Sequence, residues 1–371
     1  PLLNLMQYPE ILGQNRVKSV LSGAVASGNI HHAWLLTGAS GSQTTDLAEA
    51  FARTLLCEKP VHEQACKNCE SCRLSFQDKH PDFFRLKPRG KIRQMKMEDV
   101  RDLLKFISLK AFFPGYKVMV IEEAERLPRE HANSLLKSLE EPPPKTIFIL
   151  TCSKVSGLLP TIISRCQTLE LEPLPEEMVL EWVKKNLPSS VDSDMMVKLS
   201  GGHIGRLKEE NLQKILKARE IAFSILEEWV EKGKIAVLEA TDRVMSHLDK
   251  ERKNLEKEMA AELKKMKQAE GGKTDKAEEE MAAQTEGLIK QILDDILNVF
   301  SSILRDILFI QESFSQDTLL NPDKKAVLEK ASRILHNADS SFMMLDRTRR
   351  GLQRTANQKL ALESFFLQVF E

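Results

Sequence analysis

Cys57, Cys66, Cys69 and Cys72 stand at C-x8-C-x2-C-x2-C spacing. A C-x2-C pair brings two thiolates onto one ion without strain, and structural zinc takes four sulfurs tetrahedrally at about 2.3 Å. Two overlapping pairs plus one further cysteine close that shell and leave no open coordination position. The chemistry predicted is therefore structural Zn2+ and not catalysis. His62 and His80 are possible substitutes that a four-cysteine set does not need. In a long chain with no secretory pattern, such a cluster points to metal rather than disulfides. Cys152 and Cys166 are expected to be reduced, buried thiols.

A second constellation is Gly38-Ala-Ser-Gly41-Ser-Gln43-Thr44-Thr45. A working phosphate loop reads G-x-x-x-x-G-K-[ST]: its backbone N–H groups wrap the phosphates, its lysine reaches the outer ones, and its hydroxyl binds magnesium. Aligned from Gly38, the second glycine is Gln43 and the lysine is Thr44, and Thr45 alone keeps the hydroxyl. Gln43 carries a Cβ where close backbone approach is wanted. Thr44 removes a positive charge. Gly38, Gly41 and Thr45 would then line a nucleotide site that does not bind ATP productively. Further on, Val118-Met-Val-Ile-Glu122-Glu123 reads as a strand ending in an acidic pair. In a nucleotide site the first acid orients magnesium and the second polarises water. Glu122 in place of aspartate sets the first carboxylate about one methylene further out.

These residues need a scaffold. Ala33-Trp-Leu-Leu-Thr, Val118-Met-Val-Ile and Ile147-Phe-Ile-Leu-Thr are short apolar runs, each preceding a turn or a helical pattern. That alternation predicts an α/β domain with a largely parallel sheet covered by helices on both faces. The Glu172-Pro-Leu-Pro-Glu stretch reads as a linker, and everything beyond it is helical. The division expected is residues 1–171 for the α/β domain with the cysteine module at 57–72, residues 172–210 for a small helical lid, and residues 211–371 for a larger helical domain. In the last, Leu288, Ile289, Ile292, Leu293, Ile296, Leu297, Phe300, Ile303, Leu304, Ile307 and Leu308 recur along one helical stripe. Residues 249–281 are dominated by Lys, Glu and Ala and broken by Gly271-Gly272, as in two charged helices joined at a glycine turn.

With 371 residues the chain has room for two or three domains. Lys+Arg and Asp+Glu both total 54, so the zero net charge argues against a dedicated nucleic-acid binder. No apolar run approaches the roughly 18 to 20 residues of a membrane helix, and the first residues lack a basic-then-apolar pattern. The expectation is a soluble, cytoplasmic protein with no membrane partner.

Beyond single motifs, the sequence resembles the delta-prime subunits of the bacterial DNA polymerase III clamp loader, of the AAA+ superfamily. The resemblance lies in Ile11-Leu-Gly-Gln14, His32-Ala-Trp-Leu-Leu-Thr-Gly38, Asn133-Ser-Leu-Leu-Lys-Ser-Leu-Glu-Glu-Pro-Pro143, Phe148-Ile-Leu-Thr151 and Ser164-Arg165-Cys166. It is strong from about Tyr8 to Leu171, moderate through Arg206, and weak beyond apart from Asn357-Gln-Lys-Leu-Ala-Leu-Glu363. It implies a P-loop AAA+ parallel-sheet domain, a helical lid and an all-α C-terminal collar. It also implies that Arg165 is an arginine finger acting in trans on a neighbour's ATP. The partners implied are gamma/tau and delta subunits in a hetero-pentameric ring, with the sliding clamp and primer-template DNA met through the complex. Where the family's ATPases carry a sensing arginine, this chain has Gly201-Gly-His-Ile-Gly-Arg206, with the arginine displaced by one. Two other readings remain open. One is an ATP-hydrolysing gamma/tau-like subunit. The other is a zinc-bearing adaptor that binds DNA through Lys87, Arg89, Lys91, Arg93 and Lys96.

Overall fold

The computed structural model describes residues 8, 10–88, 95, 97–127, 129–188, 192–270, 275–314, 318–336, 338–353 and 357–370. Gly271 and Gly272 of the expected turn lie outside these, as do Arg89, Lys91, Arg93 and Lys96 of the basic run. The chain divides into two compact units. One holds residues 1–89, 93–187 and 200–206, and the other residues 90–92, 188–199 and 207–371.

The first unit is built on five strands: β1 (Ala33–Thr37), β2 (Phe83–Leu86), β3 (Lys117–Ile121), β4 (Thr146–Cys152) and β5 (Gln167–Glu170). They pair in the order β2-β3-β4-β1-β5, every pairing parallel. Its helices are α1 (Asn15–Ser27), α2 (Thr44–Leu56), α3 (Glu70–Phe76), α4 (Met97–Ser108), α5 (Arg129–Glu140), α6 (Pro160–Ile163) and α7 (Glu176–Asn186). The three central strands are buried along their whole length, which is why they read as unbroken apolar runs. Alternate residues face opposite layers. Trp34, Leu36, Val118 and Ile149 pack on the side of α1 and α2. Leu35, Met119, Phe148 and Leu150 face α4, α5 and α6.

The strand order decides where a ligand could sit. The connection from β1 runs out to β2 on one side, and that from β4 runs past β1 to β5 on the other. Right-handed crossovers therefore place their helices on opposite faces, and a crevice opens at the carboxyl ends of β1 and β4. The loop of residues 38–43 leaves β1 at that point, with Gly38 N–H bonded to the Cys152 carbonyl at 3.1 Å.

The second unit is helical: α8 (Ser193–Ser200), α9 (Glu209–Lys232), α10 (Lys234–Glu270), α11 (Asp275–Gln311), α12 (Lys325–Ile334), α13 (Ala338–Gln353) and α14 (Gln358–Val369). The stripe anticipated from Leu288 to Leu308 is the buried face of α11. Phe300 lies at its centre against Phe365, Phe366 and Phe370. The charged segment is helical on both sides of the glycine pair. Among the described residues no helix is long and apolar enough to cross a membrane.

Candidate functional site

At the end of β1 the chain needs a sharp reversal into α2. Gly41 makes it with a φ of 87°, and Gln43 follows with a φ of 65° as the residue that caps α2. Both lie in the left-handed region, which costs a residue with a Cβ roughly 1–2 kcal/mol. Glycine would suit position 43 better, as the phosphate-loop alignment implies. The Gln43 side chain is buried and turned back to the N-terminal segment. Its Oε1 accepts from Leu12 N–H at 3.3 Å, and its Nε2 reaches the Glu10 carbonyl at 3.5 Å.

Gly41 is also covered. Gly205 N–H donates to the Gly41 carbonyl at 3.1 Å. A Cβ at position 41 would come within 2.7 Å of Arg206 Cγ and 2.9 Å of Arg206 N. The Gly201–Arg206 segment thus lies directly on the loop. His203 within it is buried, and burial together with the Arg206 charge lowers its imidazole below the usual range.

The acidic pair follows β3 as anticipated, but its carboxylates already have cations. Glu122 forms an ion pair with Arg85 at 3.5 Å, and Arg85 also meets Glu49 at 2.7 Å and Asp78 at 3.5 Å. Burial raises the Glu122 carboxyl above the usual carboxylate range, and the Arg85 charge opposes that shift. Glu123, itself left-handed at φ 48°, pairs with Arg126, and its N–H donates to Thr151 Oγ1 at 3.1 Å. Nothing in the sequence flagged Arg85, which sits on the edge strand β2.

Arg165 lies on the turn between α6 and β5, with its side chain 31% exposed. Its Nη1 donates to the Thr161 carbonyl at 2.8 Å and reaches Ser164 Oγ at 3.4 Å, and its Nη2 donates to Glu140 at the end of α5. Glu140 belongs to the Leu-Glu-Glu-Pro-Pro element, so the two most distinctive pieces of the sequence meet here.

The four cysteines come together. Cys57 ends α2, Cys69 caps α3, and Cys66 and Cys72 complete the set, with all four sulfurs within 4.8 Å of one another. The Cys57–Cys69 and Cys66–Cys72 separations are both 3.9 Å. Four sulfurs each at about 2.3 Å from one ion stand about 3.8 Å apart, so the arrangement suits a single tetrahedral ion. Backbone N–H groups point at three sulfurs: Cys66 N to Cys57, Cys69 N to Cys66, and Cys72 N to Cys69, at 3.3 to 3.4 Å. The N–H groups of Asn68 and Cys69 lower the Cys66 thiol to about 6, whereas burial raises Cys57 and Cys72. A bound cation would offset that burial. His62 and His80 are not part of the cluster. Cys152 is buried, whereas Cys166 is only half-buried, and both are free thiols.

A sequence model of the family described as "DNA polymerase III, delta subunit" matches residues 13–175. The chain is 37% identical over 215 residues to the delta-prime subunit of DNA polymerase III from Pseudomonas aeruginosa, covering 53% of this chain and 65% of that protein. The part of the chain that resembles these DNA polymerase III subunits is centred on residues 13–175. A gamma subunit from Buchnera aphidicola is 32% identical over 188 residues, covering 50% of this chain and 51% of its own. The chain thus spans between half and two thirds of the length of these relatives. A solved gamma-subunit-related protein of Thermotoga maritima aligns over 94% of this chain and 97% of its own, at 17% identity and a TM-score of 0.41. The fold class is α/β as expected, a five-stranded parallel sheet with helices on both faces, followed by an all-helical remainder.

Proposed function

We propose that the chain is a delta-prime-type subunit of a DNA polymerase III clamp loader, acting in DNA replication. It does not turn over ATP itself and supplies Arg165 to the ATP of an adjacent gamma/tau-like subunit. The observation that carries this reading is the loop of residues 38–45, whose Gln43 and Gly41 are both engaged by other segments of its own unit. Gln43 is held by the N-terminal segment and Gly41 lies under Gly205 and Arg206. Thr44 brings no charge, and the Glu122 carboxylate is paired with Arg85.

Arg165 is useless to such a site and valuable to a neighbour's. Phosphoryl transfer spreads negative charge over the γ-phosphate oxygens, and a guanidinium placed against them in trans is worth roughly 10³ to 10⁵ in rate. Thr161, Ser164 and Glu140 hold the Arg165 group while it remains part-exposed. The rest of the organisation belongs to the same proposal: residues 172–210 as a lid, residues 211–371 as a collar that assembles with gamma/tau and delta subunits, and clamp and primed DNA met through the complex. The four cysteines hold one structural Zn2+, which would lock the end of α2 to the start of α3.

The test is to assemble the chain with a P-loop-intact gamma/tau partner and follow ATP turnover with clamp and primed DNA present. Arg165→Ala is expected to leave assembly intact and to lower stimulated turnover, by about 10³-fold or more at the one ATP site that it faces. Unchanged turnover would remove the finger assignment. Tight magnesium-dependent ATP binding by the isolated chain would favour the gamma/tau-like reading instead.

A further inference from the structure

Ser71 stands between the cysteines at 69 and 72, in the first turn of α3, and is completely buried. Its Oγ bonds to the Leu56 carbonyl and lies 2.7 Å from His80 Nε2. The other ring nitrogen, Nδ1, accepts from Asp82 N–H at 3.0 Å. A nitrogen that accepts from an N–H carries no proton, so neutral His80 is the Nε2–H tautomer. It donates to Ser71 Oγ, and the serine hydrogen goes on to Leu56. Donor and acceptor are fixed at each joint, and burial favours the neutral ring.

Asp82 carries the chain further. It is 1% exposed, and its two carboxylate oxygens accept from Phe112 N–H and Phe113 N–H, each at 2.7 Å. The Phe113 ring packs on the His80 ring with centroids 4.9 Å apart. Phe112 itself is 77% exposed and Leu109 65%. This loop therefore turns two large apolar side chains to water and is fastened from beneath by a buried carboxylate. A charge-assisted pair of this kind is strong because removing it strands a buried anion.

We propose that the cysteine module and the loop of residues 109–114 form one cooperative unit, coupled through Ser71, His80 and Asp82. The module's order then sets the conformation in which Leu109 and Phe112 are presented. Ser71, His80 and Asp82 are positioning residues that hold the loop through one another. The inference rests on the metal reading only in that bound zinc keeps the module ordered.

The experiment uses the full chain, with zinc counted per chain and amide hydrogen exchange followed at Phe112 and Phe113. Stripping zinc with a chelator, under conditions that keep the helical circular dichroism, is expected to speed exchange at both amides about tenfold or more. Exchange in β4, at Ile149 and Leu150, should stay slow. Ser71→Ala is expected to keep the wild-type zinc content and to give the same acceleration. Unchanged exchange at Phe112 and Phe113 in either arm overturns the coupling. A chain that purifies without zinc would instead refute the metal reading, and the Ser71→Ala arm would then decide the coupling by itself.

Discussion

Gln43 separates the shape of a phosphate loop from its chemistry. Its left-handed backbone keeps the loop's turn, while its amide is spent on Leu12 and Glu10. Restoring the missing groups with Gln43→Gly and Thr44→Lys is consequently expected not to give tight magnesium-ATP binding, because Arg206 still covers Gly41 and Arg85 still holds Glu122. Titration calorimetry of the double variant checks this, and micromolar binding would show that these two positions alone disable the loop. His203, in the covering segment, adds a pH dependence. Unfolded, its imidazole titrates near 6.5, and in the fold burial and Arg206 hold it lower. Between those values the unfolded chain binds more protons, so the contribution is complete above about pH 6.5 and is lost as pH falls. His32 and His80 are shifted in the same direction and add to the slope. His203→Gln is expected to make the fall in unfolding free energy from about pH 7 to about pH 5, read from denaturant titrations, shallower by at most about 1.4 kcal/mol per pH unit. An unchanged slope would remove His203 from that account.

Among the elements, α11 carries the helical unit. Phe300 is fully buried and touches three aromatic rings at the C-terminal end of the chain, on and just beyond α14. Phe300→Ala leaves a cavity that those rings cannot fill together, and about 3–5 kcal/mol of stability should go with it. Denaturant titration followed by helical signal would show this, and a loss under about 1 kcal/mol would mean that the aromatic cluster repacks. What could be read from the sequence follows the same physics. β1, β3 and β4 are buried on both faces and stand out as apolar runs. The four-residue strands β2 and β5 lie at the sheet edges. In β5 only Leu169 is buried, so no periodic signal survives. The cysteine cluster was legible because its four sulfurs come from residues close in sequence, at the spacing that a single tetrahedral ion would require. The Arg85 pairing with Glu122 and the cover of Arg206 over Gly41 join distant segments, and only the tertiary fold brings them together.

For the whole molecule the deciding quantity is charge. Equal totals of 54 basic and 54 acidic residues leave no long-range field to draw in a polyanion. Affinity for DNA is dominated by phosphate neutralisation and falls steeply with salt. A balanced chain therefore has little to offer DNA unless its cations are concentrated in one place. Lys87 begins the basic run on which the alternative adaptor reading depends. The isolated chain is expected to bind primer-template DNA no more tightly than about 10⁻⁴ to 10⁻⁶ M at physiological salt, the range of non-specific contacts. Fluorescence anisotropy across a salt series measures both the constant and its slope. Binding near 10⁻⁸ M that collapses as salt rises, and that is lost in Lys87→Glu with Arg89→Glu, would mark a local basic site strong enough to act without partners. Weak binding by this chain, with tight binding only after assembly with a P-loop-intact subunit, is what a division of labour predicts, because the complex would then supply the DNA contacts that this neutral chain lacks.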